Sequence, residues 1–211
     1  MRATSLLDAY RLVPVVALDA ADQAVPLARA LVEGGIACIE VTLRTDAALD
    51  AIQAIAEKVP GMTVGAGTIK TVQDIGRAVS AGARFLVSPG TTTELLDEAE
   101  NWEPPLLPGA ATASECMALE LRGYTRIKCF PAHSPTGLAF ISAMAGPMPA
   151  LSFCPSGGVN LGNFREYLAL PNVFAVSGSF LAPPDLIAAG AFDDITNLAR
   201  QCTALLSAPD P

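Results

Sequence analysis

The stretch "CIEVTLRTDAALDAIQAIAEKVPGMTVGAGT", residues 38–68, reads as strand, helix, strand. Its ends, "CIEVTL" (38–43) and "MTVGAGT" (62–68), are short apolar β-rich runs, and the longer segment between them, near 47–58, is amphipathic. The same unit recurs in both directions. Further strand-like runs are "LVPVVAL" (12–18), "RFLVSPG" (84–90), "PLLPG" (105–109), "RIKCFP" (126–131), "LSFCPSGG" (151–158) and "VFAVSGS" (173–179). Candidate helices lie near 21–33, 71–81, 92–101, 112–122, 137–145, 162–169 and 192–205, with a short helix around 3–10 ahead of them. Such spacing suffices for parallel strands joined through helices. Thr112 with Glu115 three residues on has the form of a capping box, and Gly82 and Gly123 stand where helices should stop. Eight strand–helix units with no linker predict an α/β fold with one domain over 1–211, a (β/α)8 TIM barrel with a short N-terminal helix. The fifth run carries prolines at 104, 105 and 108 and is the poorest strand; an open doubly wound sheet is the other arrangement this pattern allows.

Composition narrows the function classes. Of 211 residues, 51% are apolar and 16% charged, enough for a substantial core, and no run approaches the roughly 18 apolar residues of a membrane span. The low charge content suggests that another subunit covers part of the exterior. A net charge of -8 and the lack of any basic cluster longer than two residues oppose a polyanionic partner, so neither nucleic acid nor membrane is expected. The start lacks the ordered zones of a secretory signal, which points to the cytoplasm. Five cysteines, an odd number with no CxxC pair, indicate neither a disulfide scaffold nor a structural zinc site.

Strand alternation picks out the chemistry. In "CIEVTLRT", Glu40, Thr42 and Arg44 share one face and Ile39, Val41 and Leu43 the other. Lys128, one of three lysines, shares a face with Arg126 and Phe130. With the aliphatic faces packed on helices, Glu40 and Lys128 meet near the barrel axis. Desolvation disfavours a charged amine, whereas a neighbouring carboxylate favours it. A neutral amine can attack a ketone, and the resulting protonated imine draws electrons from the adjacent carbon–carbon bond. Glu40 would then shuttle protons. Structural roles stand beside these: Lys128 a surface or salt-bridged residue, Glu40 its buried counter-ion, Arg44 a subunit or surface contact, Thr68 an N-cap or turn hydroxyl rather than a ligand donor. Backbone N–H groups of Gly157, Gly158, Gly178 and Ser179, with a short helix starting near Pro183, are suited to cradle a phosphate without any lysine or arginine.

The motifs "EVTLRT" (40–45), "VGAGT" (64–68), "SPG" (88–90), "LPG" (107–109), "KCFPA" (128–132), "FCPSGG" (153–158), "REYLAL" (165–170) and "SGSF" (177–180) run in order along nearly the whole chain. Together they resemble the bacterial 2-dehydro-3-deoxy-phosphogluconate aldolase / 4-hydroxy-2-oxoglutarate aldolase family. That resemblance implies a class I lyase, a homotrimer without metal or organic cofactor, acting on a 2-keto-3-deoxy sugar acid phosphate in the Entner–Doudoroff pathway. It implies Lys128 as the Schiff-base lysine and Glu40 as general acid/base. Arg44, Thr68 and Pro89 would line the pyruvoyl part, with Phe130 beside the imine and Ser156, where the family commonly has threonine, near the ketoacid. Gly157, Gly158 and Ser179 would contact phosphate. The departure is "FPAHSPTG" (130–137), where the family commonly has "FPAE"; His133 therefore bears on the choice of acceptor aldehyde. A metal-dependent pyruvate aldolase and a non-catalytic phosphate-binding barrel are the rival readings. The single histidine speaks against the first.

Overall fold

In the computed structural model, residues 6–133 and 137–207 are described. Strands and helices alternate as the periodicity requires: β1 (Leu12–Val16), α1 (Ala24–Glu33), β2 (Cys38–Thr42), α2 (Ala48–Lys58), β3 (Thr63–Gly67), α3 (Val72–Ser80), β4 (Leu86–Val87) and α4 (Thr93–Ala99). The second half continues with β5 (Leu106–Leu107), β6 (Gly109–Ala110), α5 (Ala113–Leu121), β7 (Arg126–Cys129), α6 (Leu138–Met144), β8 (Ser152–Pro155), α7 (Phe164–Leu168), β9 (Val176–Gly178), α8 (Pro184–Ala188) and α9 (Phe192–Ser207). The N-terminal helix is one 3-10 turn, Leu7–Ala9; the first residues of the expected 3–10 segment lie outside the described ones.

Local chemistry sets the boundaries. On α2, Ala48, Ala51, Ile52 and Ile55 form one buried stripe at helical spacing. Thr71 with Asp74 and Thr112 with Glu115 close reciprocal capping boxes on α3 and α5, each contributing about 0.5–2 kcal/mol. Gly82 and Gly123 follow α3 and α5 at φ of 96° and 85°, where a side chain would be strained.

The closed eight-stranded barrel expected from sequence is not what the strands form. They make a six-stranded parallel sheet in the order β5-β4-β3-β2-β1-β9, an open half-barrel, and a separate three-stranded sheet, β6-β7-β8. Two prolines explain the breaks. Pro108 has no N–H and splits the fifth run: Leu106 and Leu107 pair with Leu86 and Val87 of β4, while Gly109 and Ala110 pair with Lys128 and Cys129 of β7. Pro155 ends β8, and among the described residues this side is linked in strand pairing to the chain around β9 by the isolated bridges Phe153–Val173 and Ser156–Ser177.

Two apolar clusters follow from strand parity. The larger packs the outward strand residues, such as Ile39 and Val41, against the helices. A smaller one joins Val13, Cys38, Phe85, Val87, Leu107, Cys154 and Ala175, inward residues of both sheets, with Leu7 from the N-terminal turn. That turn is latched by a paired contact of Arg126 with Asp8 at 2.7 and 3.0 Å. Polar residues lie beyond this cluster, toward the C-terminal ends of the strands.

Candidate active site

Glu40 sits in β2 between Val15 of β1 and Gly65 of β3, with its side chain inward. Lys128 sits in β7 between Gly109 and Cys154. The lysine Nζ donates to Glu40 Oε1 at 3.2 Å, although 88 positions separate the two residues. Both side chains are almost closed to solvent, at 7% and 2% exposure. Removing two charges from water costs several kcal/mol per ion before their attraction offsets it, so such a pair is poor value as a mere fastener. The Lys128 ammonium position also faces the Phe130 ring, 5.5 Å from its centroid.

Room for the carboxylate is made by a glycine. A Cβ at Gly67 would stand 2.1 Å from Glu40 Oε1 and 2.7 Å from its Cδ and Cγ. Thr68, the next residue, has φ +62°, the sole positive value at a non-glycine among the described residues. For a β-branched side chain that conformation costs on the order of 1–3 kcal/mol, and it turns the end of β3 into the cavity. The capping role weighed for Thr68 belongs to Thr71 instead, whose Oγ1 accepts from the Asp74 amide.

A cavity of ≈ 310 Å³ opens on the pair. Of the residues singled out from sequence, Glu40, Arg44, Thr68, Pro89, Lys128, Phe130, Ser156, Gly157, Gly178 and Ser179 line it. Gly158 does not. It makes the following turn at φ +103°, and its carbonyl accepts from Asn163 Nδ2 at 3.0 Å. Val15 and Thr42 line the cavity too and were not singled out. Thr42 shares a strand face with Glu40, a signal that was available. Its hydroxyl donates to the Val16 carbonyl at 2.9 Å and accepts from Arg44 Nε at 3.0 Å, which fixes the guanidinium plane at the cavity edge. His133 lies outside the lining, with Nδ1 3.4 Å from the Gly157 carbonyl.

Nearby thiols are no competitors to the amine. Burial first, with Glu40 and Cys154 adding to it, pushes the Cys38 thiol well up, and burial pushes Cys154 to about 12. Both remain protonated and unreactive at neutral pH. Among the described residues no three His, Cys, Asp or Glu side chains are grouped to hold a metal ion.

Known proteins share this arrangement of chain. A model of the KDPG and KHG aldolase family matches residues 4–198. A 2-dehydro-3-deoxy-phosphogluconate aldolase of Pseudoalteromonas atlantica is 47% identical over 192 residues, covering 91% of this chain and 89% of the relative. A KHG/KDPG aldolase of Escherichia coli is 45% identical, with 94% and 93% covered. The crystal structure of a Legionella pneumophila KDPG aldolase, with pyruvate captured at low pH as a covalent carbinolamine, superposes with TM-score 0.91 at 41% identity, over 93% of this chain and 96% of that one.

Proposed function

Given that this chain belongs to the KDPG and KHG aldolase family, we propose that it cleaves 2-dehydro-3-deoxy-6-phosphogluconate reversibly to pyruvate and glyceraldehyde 3-phosphate through a Schiff base on Lys128. The observation that carries this reading is the buried Lys128–Glu40 pair on the wall of the cavity.

In this scheme the Lys128 ammonium passes one proton to Glu40 and the neutral amine attacks the C2 ketone of the ketoacid; a second proton moves from the adduct's nitrogen to its alkoxide, giving the carbinolamine. Glu40 returns its proton to the carbinolamine hydroxyl, water departs, and the iminium forms. The C4 hydroxyl then gives its proton to Glu40, the C3–C4 bond breaks, and its electron pair enters the iminium as an enamine. Protonation of C3 and hydrolysis release pyruvate and restore the amine. The iminium is itself the electron sink, so this chemistry needs no metal or organic cofactor. Arg44, held by Thr42, would take the ketoacid carboxylate through paired N–H donors. Thr68, Pro89 and Ser156 would bound the pyruvoyl part, and Phe130 would pack beside the imine. The amides of Gly157, Gly178 and Ser179 would receive the phosphate, with Gly158 shaping that turn. The 6-phosphogalactonate epimer and 4-hydroxy-2-oxoglutarate are the alternative substrates.

Borohydride reduction in the presence of pyruvate should add the reduced pyruvyl group to Lys128, located by peptide mass mapping. Folded protein that never forms this adduct would remove the Schiff-base reading. We further take the chain to be a cytoplasmic homotrimer. Its five cysteines, all free, fit a reducing compartment, and Met117 and Leu121 on α5 present apolar side chains at 54% and 88% exposure for a neighbouring copy to cover. Light scattering should give three times 21.7 kDa, about 65 kDa. A stable particle of 21.7 kDa would contradict it.

A further inference from the structure

The motif "REYLAL" (165–170) contributes nothing to the cavity lining, yet its tyrosine reaches the segment that follows β7. Tyr167 and Phe164 are the buried residues of α7. A phenylalanine would fill the core at 167 equally well, so the hydroxyl needs its own account. It donates to the carbonyl of Ala132, a fully buried residue 35 positions earlier, in the segment that follows β7. The amide of the same Ala132 donates to the carbonyl of Ser156 at 2.8 Å, at the end of the next strand. One residue is thus held at both of its backbone polar groups, by α7 on one side and by the cavity wall on the other. Gly137 covers the bond, since a Cβ there would stand 3.5 Å from the Ala132 oxygen and 3.6 Å from the Tyr167 hydroxyl. Burial raises the pKa of this hydroxyl, which keeps it a donor through neutral pH.

The held segment is wedged between the amine and the phosphate-side glycines. Two residues before Ala132, the Phe130 ring faces Lys128 and abuts Gly157, where a Cβ would meet it at 2.9 Å. One residue after Ala132, His133 abuts Gly158, where a Cβ would meet the His133 Cβ at 2.9 Å. Displacing residues 130–133 would therefore change the distance between the imine and the phosphate cradle. The groups that the aldolase reading gives to the ketoacid carboxylate and to proton transfer, Arg44, Thr68 and Glu40, stand on β2 and at the ends of β2 and β3, away from that segment in the chain.

We propose that Tyr167 is a positioning residue for the acceptor half of the site: through Ala132 it holds segment 130–133 so that the span from Lys128 to Gly157 fits a phosphorylated aldehyde rather than a short unphosphorylated one. This rests on the aldolase reading of Lys128. The bond contributes little to imine formation and much to the discrimination between 2-dehydro-3-deoxy-6-phosphogluconate, which releases glyceraldehyde 3-phosphate, and 4-hydroxy-2-oxoglutarate, which releases glyoxylate.

The test is Y167F, which keeps the ring and removes the donor, with its melting temperature checked. Pyruvate trapping by borohydride should match the unaltered protein. The kcat/KM for the phosphorylated substrate should fall roughly tenfold, mainly through KM, while that for 4-hydroxy-2-oxoglutarate changes less than about twofold. H133A is exposed and should not endanger the fold; it frees the same segment from its contact with Gly157 and should shift the same ratio in the same direction. Equal losses on both substrates, or no change in the ratio in either variant, would overturn the role of Tyr167 while leaving the aldolase reading intact. Failure of the unaltered protein to trap pyruvate would overturn that reading and this inference with it.

Discussion

Replacing Gly67 by alanine asks the most of the proposed site with the fewest atoms. The backbone there is ordinary strand, so a methyl group is conformationally permitted; what it meets is Glu40, at 2.1 Å from Oε1 and 2.7 Å from Cδ and Cγ. Ordinary contact begins at 3.4 Å, so the carboxylate must retreat by more than about 1 Å. Three consecutive side-chain atoms are crowded, and the residue is 1% exposed, so the retreat cannot be made by one terminal rotation into solvent. The 3.2 Å contact with Lys128 is then lost or rebuilt in poorer geometry. A displacement of this size in a proton-transfer group costs about a hundredfold in rate, or about 2.7 kcal/mol of barrier. G67A should therefore show kcat near 1% of the unaltered value with KM within a few fold, read as pyruvate release in a coupled spectrophotometric assay. Gly65 supplies the control. A Cβ there would meet the Phe85 ring at 2.3 Å, an equal crowding of a residue that carries no proton. G65A should lose about 1–3 kcal/mol of stability by overpacking and keep most of its kcat below its melting point. Native kcat in folded G67A, or equal kcat losses in both variants, would refute the reasoning that Gly67 exists to seat the Glu40 carboxylate.

Three further outcomes are expected. K128M should abolish borohydride trapping and, by leaving the Glu40 carboxylate buried without a cation, destabilise the fold by about 3–5 kcal/mol in urea titrations; E40Q/K128M should recover most of that loss, and a double variant no more stable than K128M would show that the pair is not coupled. E40Q alone should lower kcat by about 10²- to 10⁴-fold, so a variant within threefold of the unaltered rate would remove Glu40 as proton carrier. Stability should also decline from about pH 8.5 upward. Burial raises Cys116 and Cys202 to about 11 and Cys154 to about 12, against about 8.5 in the unfolded chain, so above that pH the folded state holds more protons and unfolding is increasingly favoured. Unfolding free energies flat between pH 8 and 10 would contradict this assignment.

The helices and most strand positions were legible because their signals are local. Thr112 with Glu115, the alanine and isoleucine stripe of α2, and the alternation in "CIEVTLRT" each act within a few residues, so pattern alone locates them. Parity also put Glu40 and Lys128 on inward faces. Their meeting at 3.2 Å then followed from which strands lie opposite each other. Gly67 and Tyr167 were not legible in the same way. A glycine at a strand end reads as a turn, and a tyrosine in a helical stripe reads as core; their partners, Glu40 and the Ala132 carbonyl, lie 27 and 35 positions away. Gly158 repeats the glycine pattern of its neighbour but lies outside the cavity lining; its carbonyl accepts from Asn163, and a Cβ on it would meet His133, partners that no local pattern names.

Read alone, the chain specifies alternating strands and helices, an acid and an amine on inward faces, and glycines at the strand ends, since each depends on periods of two or 3.6 residues or on a neighbour's dihedral. Closure of the sheet was beyond that reach. The prolines at 108 and 155 were plain in the sequence, but a missing N–H breaks a ladder only where a partner carbonyl would have needed it, and that is a property of the assembled strands. The same holds for the cavity. Its walls come from β1, β2, β7 and the ends of β3, β4, β8 and β9, elements far apart along the chain, and their packing sets the ≈ 310 Å³ that a substrate can enter.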